Sequence, residues 1–293
     1  MAIQNVPQQV EIVLPTPVSR IRAAWAVFMM RVHVVSRYPG MLVMDIISPL
    51  IVALFPILLG VGVAGDLATA EANFATSTGT SNFVLYMIIG SVIYSVVNFS
   101  MWFFGFFIRR EQESGTLEAI YLTTTSRATM LVGTSFYVSF RSCIYGIGAL
   151  IITALIFRVN PLQGDIFLGI LFLIIGLVPI FGMNLFFGSL ILKFKEVGSL
   201  LNLLQWVIGF FMGMFFPVTI LPAFILFISM LLPPTWVVNG VRAALLDTAY
   251  LLDGWYLDIA VLVAMWFIVP LIGYWIFERI ENNLRKNQGI GQF

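Results

Sequence analysis

Charge is scarce in this chain. Of its 293 residues 10% are charged, against 60% hydrophobic, and the mean hydropathy is +1.00. Such a composition leaves too little polar surface to cover a soluble domain, so the chain is an integral membrane protein. Only three lysines occur, Lys193, Lys195 and Lys286. None follows glycine and precedes serine or threonine in the loop that cradles nucleotide phosphates, which excludes ATP hydrolysis by a P-loop. The single cysteine, Cys143, sits in an apolar stretch and excludes a disulfide framework or a zinc site. His33 is the one histidine and has no metal-ligand companion. Neither a Gly-x-Ser-x-Gly elbow nor a His-Glu-x-x-His pair is present, and an intramembrane aspartyl protease would need a second acid beside Asp45. No catalytic residue, metal ligand or resident cofactor is therefore expected, and nothing points to nucleic acid.

What the chain has instead is length of apolar sequence. A hydrocarbon core of about 30 Å takes roughly 20 helical residues to cross. Six runs of that order emerge, at 41–64, 83–107, 128–157, 166–192, 199–216 and 257–277. Stretches such as 166–192 are continuously apolar rather than alternating, which rules out a strand barrel. The expected fold is an all-α polytopic membrane protein with six transmembrane helices.

Basic residues are retained on the cytoplasmic side of short loops. With the N-terminus inside, twelve of the fifteen lysines and arginines fall inside, only Arg158 and Arg242 fall outside, and Arg141 lies within a span. Six crossings with both termini cytoplasmic fit that asymmetry. Residues 1–17 carry neither a basic n-region nor an apolar h-region, so no signal peptide is expected there, and they read as a flexible cytoplasmic tail. The remaining divisions are an amphipathic helix at 18–38, a single six-helix transmembrane domain at 39–280 and a cytoplasmic C-terminal tail at 281–293.

The amphipathic helix is read from spacing. Ile21, Ala24, Trp25, Phe28, Val32 and Val35 fall on one face, with Arg20, Arg22, Arg31 and His33 elsewhere on the circumference. A basic helix with tryptophan on its apolar stripe lies in the membrane interface. Arg37-Tyr38-Pro39-Gly40 ends it and turns the chain into the first span.

Residues 197–241 hold 45 consecutive uncharged positions, about 67 Å as continuous helix and twice the bilayer core. Two full crossings would send Arg279, Arg285 and Lys286 outside. One crossing followed by a re-entrant external hairpin keeps parity and charge, with Pro217, Pro222, Pro233 and Pro234 supplying the breaks of an external gate. The alternative is a long tilted helix with an external loop.

Between the second and third apolar runs lies a polar island, 109–118, which carries five of the chain's 29 formal charges. Gly115 breaks a helix descending from the second span, and Thr116 caps a new one whose Glu118 lies in the first turn, where the helix dipole favours negative charge. Leu117, Ile120 and Tyr121 then share a face. The run Glu111-x-Glu113-x-Gly115-Thr116-Leu117-Glu118, followed by Thr125-Ser126-Arg127, resembles the segment after the second span in permease subunits of type-2 ABC exporters, the group that includes polysaccharide, nodulation-factor and drug exporters. Three further places are similar: the Arg37-Tyr38-Pro39 entry into a span containing Pro49; Lys193-Phe194-Lys195-Glu196 between spans four and five; and Phe215-Phe216-Pro217 through Pro233-Pro234-Thr235-Trp236 to Arg242, which looks like the re-entrant gate region. The family often carries Arg-Asp where this chain has Lys195-Glu196.

The resemblance implies a homodimer, or a pair with a homologous permease, embedded in the bilayer of the cell (inner, cytoplasmic) membrane. Two separate ATP-binding cassette subunits, which hold the ATP and magnesium, dock below it. It carries the role of coupling helix to Glu111, Glu113, Gly115, Thr116, Leu117 and Glu118, with Lys193, Lys195 and Glu196 as a second contact. A solvated loop of mixed charge is the plainer reading of the island. The low charge and the 27 phenylalanines suit export of a hydrophobic or lipid-linked cargo. A polysaccharide or lipo-oligosaccharide is the alternative within the family, and a channel or scaffold without ATP coupling the alternative outside it.

Polar residues inside the spans are the remaining candidates. A charge at mid-bilayer costs about 2.5 to 3.5 kcal/mol on insertion scales, so Arg141 needs a partner or water. Asp45 serves as that partner only if the helices are staggered. Asn98, Asn202 and Gln205 are placed either on the pathway or in interhelical hydrogen bonds. Gly209 and Gly213, four apart, suit close approach of two helices.

Overall fold

The computed structural model describes residues 19–106, 127–161, 163–191 and 197–288. Every regular element among them is helical: α1 Arg20–Ser36, α2 Pro39–Ala64, α3 Leu67–Thr78, α4 Phe83–Gly105, α5 Arg127–Phe157, α6 Ile166–Ile191, α7 Val197–Phe211, α8 Ala223–Met230, α9 Pro233–Leu246 and α10 Trp255–Gln288, with a short 3-10 turn at Val218–Ile220. Five of these, α2, α4, α5, α6 and α10, are long and apolar enough to cross a membrane; the bent pair α8 and α9 together makes a sixth stretch of that length. The all-α polytopic membrane architecture is the one expected.

Burial ranks the helices. In α4, 72% of the apolar stretch is buried, and in α6 44%, whereas α2, α5 and α10 bury 17%, 18% and 11%. Two inner helices are thus wrapped by outer ones whose apolar faces suit lipid. Small residues allow the closest crossings. A Cβ on Gly182 of α6 would lie 2.5 Å from the Pro270 backbone nitrogen of α10, and Gly273 of α10 meets the Gly182 carbonyl in return.

The sequence dictates most helix ends. The Ser19 side chain accepts from the Arg22 amide at 3.3 Å to start α1, and Pro39 opens α2, where its missing N–H costs nothing. Asp66 accepts from the Thr69 amide at 2.7 Å to start α3, a helix unforeseen in the sequence, and Gly79 ends it at φ 78°. Within α1, Ala24 is buried and Phe28 meets Phe140 of α5 edge-on at 5.7 Å. Ile21 and Trp25 of the same stripe stay exposed, so the stripe divides between α5 and the surroundings.

Beyond α6 the expected boundaries shift. The fifth apolar run, 199–216, is helical only to Phe211, because Gly213 turns the chain at φ 68°. At 15 residues α7 covers about 22 Å, less than a hydrocarbon core. Pro217 then heads the 3-10 turn, Pro222 caps α8, and Pro233 and Pro234 open α9, so each proline starts an element instead of interrupting one. α8 and α9 meet at 95°. Helix α10 continues through 288, past the start of the tail expected at 281.

Candidate functional site

Asp45 of α2 and Arg141 of α5 form an ion pair, with Arg141 Nη2 donating to Asp45 Oδ2. Arg141 Nη1 donates to the Tyr137 hydroxyl at 2.8 Å. The guanidinium lies 4.4 Å from the centre of the Phe99 ring and 5.3 Å from that of Tyr145. Pairing and the negative ring faces together offset the cost of holding a cation among apolar helices. The required stagger is present. Ile46, seven residues past Pro39, packs against Gly148, twenty-one residues past Arg127, so α5 begins well before α2 along the bundle. α1 fills the space beside that early part of α5, where its Ala24 backbone leaves no room for a Cβ on Gly133.

Asp45 opens onto a cleft between three helices. Ser48 of α2, Tyr94, Ser95, Asn98 and Trp102 of α4, and Tyr145 of α5 share its walls. Trp102 is near the end of α4 and Asp45 near the start of α2, so the cleft lies in the half of the bundle from which the chain leaves for 107–126. Asn98 is therefore on the cleft. Gln205 is buried at 2% exposure on α7, its amide nitrogen without a partner among the described residues, and Asn202 is exposed on the same helix. Neither lines this cleft. Gly209 receives the Tyr94 ring rather than a second helix backbone. The expected coupling residues Glu111, Glu113, Gly115, Thr116, Leu117, Glu118, Lys193, Lys195 and Glu196 all lie outside the described residues.

At the opposite end the proline-rich segment is held by a residue to which the sequence reading gave no role. Arg242 of α9 is 2% exposed. Its Nη1 donates to the Gly213 carbonyl at 2.7 Å, its Nη2 to the Met214 carbonyl at 2.6 Å and the Tyr86 carbonyl at 3.0 Å, and its Nε to Tyr86 again at 3.2 Å. The last-turn carbonyls of α7, Ile208, Gly209 and Phe210, accept from the Met212, Met214 and Gly213 amides, and Arg242 satisfies the carbonyls of the turn that follows. The Trp236 indole donates to the Met230 carbonyl at 2.7 Å and fixes the bend between α8 and α9. α9 runs antiparallel to α6, with Val237 against Gly176, Leu245 against Gly169 and the Ala244 carbonyl accepting from the Asp165 amide at 2.7 Å. Gly90 of α4 abuts the Met214 carbonyl, a contact open only to glycine.

The loops at this end are acidic. Asp165 accepts from the Leu168 amide at 3.0 Å, and Asp258 from the Leu251 and Leu252 amides at 3.0 Å each. Burial pushes the Tyr250 hydroxyl above the usual phenol range, and the carboxylates of Asp165, Asp247 and Asp258 add to the shift. Another connection the sequence left unread is Asn184 of α6, fully buried, whose amide donates to Ser100 and, at 3.2 Å, to the Val97 carbonyl of α4. A lone amide in an otherwise apolar span was the available signal.

No group of histidine, cysteine and carboxylate side chains among the described residues is arranged to hold a metal. A family model described as ABC-2 type transporter matches residues 22–246, from α1 to the last residue of α9. No curated protein matches the chain.

Proposed function

The chain belongs to the ABC-2 type transporter family, and on that premise we propose that this permease is the membrane subunit of an ATP-driven exporter. It works beside a second copy of itself or a homologous permease, above two separate ATP-binding subunits, in the cell (inner) membrane. The observation that carries this reading is the position of the 107–126 connector. It follows α4, whose last turns wall the cleft, and precedes α5, which carries Arg141. A push on that connector moves both helices that frame the cleft.

Glu111, Glu113, Gly115, Thr116, Leu117 and Glu118 take the coupling role, supported by Lys193, Lys195 and Glu196. The hairpin of α8 and α9 closes the external side as a re-entrant element, because α9 at 14 residues, about 21 Å, is too short to cross alone. The cargo is hydrophobic or lipid-linked. It enters from the cytoplasm or inner leaflet, by way of the cleft, whose α2 wall belongs to a helix that also exposes the apolar side chains Met44 and Ile51.

Assembly with the ATP-binding subunits is tested by charge reversal. Glu118→Lys should abolish cargo-stimulated ATP hydrolysis by the reconstituted complex while the permease still folds. Stimulation that survives at the wild-type level removes the coupling role from this segment.

A further inference from the structure

We propose that the cleft between α2, α4 and α5 binds the uncharged, hydroxyl-bearing head of an amphiphile, such as a glycosyl or polyol headgroup, with the acyl part lying along α2. The inference rests on the permease reading only for the direction in which such a molecule would move.

Two independent observations converge on the cleft. The first is its charge state. Asp45 and Arg141 already neutralise each other, so a cationic head would have to displace Arg141 and an anionic head Asp45. Breaking a partly desolvated pair leaves one charge uncompensated and is strongly unfavourable. A neutral head that both donates and accepts hydrogen bonds meets no such obstacle.

The second is an unmet hydrogen-bonding capacity. Tyr145 lines the cleft at 4% exposure, and its hydroxyl has no partner among the described residues. A buried hydroxyl left unpaired carries a desolvation penalty, and a head rich in hydroxyls removes it. Asn98 and Ser48 add donors and acceptors on the two facing walls. Trp102, half-buried and stacked on Phe106 at 5.2 Å, offers a flat apolar ring of the kind on which the C–H face of a sugar or polyol rests. Val52 of α2 and Phe99 of α4 make the rest of the lining apolar, and α2 exposes further apolar side chains, Met44 and Ile51 among them, as a surface for a chain.

Native mass spectrometry of the purified full chain in a polyoxyethylene detergent tests this. Three diacyl lipids with identical chains are offered in equal amounts: a monoglucosyl diacylglycerol, a phosphatidic acid and a trimethylammonium diacyl lipid. The glucosyl lipid should be retained about ten-fold better than either charged lipid, and Tyr145→Phe should reduce that preference about three-fold or more, the worth of one hydrogen bond. Equal retention of all three, a preference for a charged lipid, or an unchanged preference in Tyr145→Phe overturns the proposal. The same glucosyl lipid with brominated chains reads occupancy of the cleft through the part of the tryptophan quenching that is lost in Trp102→Phe, the six other tryptophans contributing equally to both chains; quenching that is the same in both overturns the placement. Once the ATP-binding subunits are added, retention with ATP-dependent transfer between leaflets supports the cleft as a cargo site, and retention without transfer supports it as a resident-lipid site. Retention needs no ATP, so loss of coupling with retention intact counts against the permease reading alone.

Discussion

The guanidinium carbon of Arg242 lies 3.6 Å from the centre of the Tyr86 ring, and the same side chain donates twice to the Tyr86 carbonyl. Ring and carbonyl belong to α4, the most buried span, and the cation to α9, so this contact ties the hairpin to the centre of the bundle. Arg242→Met should remove it and leave the Gly213 and Met214 carbonyls unpaired, at about 1 to 3 kcal/mol for each group, while the Tyr86 carbonyl keeps its bond within α4. Thermal unfolding in detergent should show a large loss of stability; a change within about 0.5 kcal/mol, typical of a surface site, would contradict the clamp.

Gly90→Ala should be destabilising through the same region. The added Cβ would collide with the Met214 carbonyl and with Arg242, and overpacking of this kind costs about 1 to 3 kcal/mol. Gly62→Ala, inside α2 with nothing within 4 Å, is the matched control and should unfold no more readily than the parent chain.

The Asp45–Arg141 pair predicts non-additivity. Asp45→Asn and Arg141→Gln should each destabilise, because each strands the partner's charge, while the double variant recovers part of the loss. The coupling should be about 1 to 3 kcal/mol, toward the lower end because the Asp45 side chain is 24% exposed. A double-mutant cycle on unfolding in detergent measures it, and additive losses would mean that the two side chains do not support each other.

Asp66 makes the start of α3 sensitive to acid. The Thr69 hydrogen bond, chiefly from its backbone amide, holds the Asp66 carboxyl below its usual range. A depressed carboxyl stabilises the folded form above the unfolded pKa, and that contribution fades as pH falls through the lower folded value. Amide exchange at Thr69 should therefore accelerate, relative to the intrinsic rate, below the ordinary aspartate range. Asp66→Asn, which caps without titrating, should abolish that acid-dependent step.

Much of the architecture was legible in the sequence because lipid imposes long apolar runs. The edges of α2, α4, α5 and α6 fall within a few residues of the runs that announced them. Helix α3 escaped because a 12-residue segment of alanine and threonine with little apolar character gives no membrane signal, and its start depends on one aspartate. The end of α7 escaped because Gly213 looked like half of a packing motif, whereas its positive φ ends the helix. Within the site, Asp45 and Arg141 were readable as charges in need of partners. The stagger that joins them, with Ile46 of α2 against Gly148 of α5, is a relation between two distant helices that no local pattern encodes. Arg242 stood as the first charge after 45 uncharged residues, and its meaning required knowing that the chain turns at Gly213 and presents the Gly213 and Met214 carbonyls to it.

Photo-crosslinking tests the central claim most directly. A benzophenone side chain at position 118, and in a second variant at position 253 in the loop before α10, is activated in cells that contain the complete transporter. The account predicts a covalent adduct between position 118 and the ATP-binding subunit and none from position 253. An adduct from 253 with none from 118 would place the motor at the other end of the bundle and contradict it.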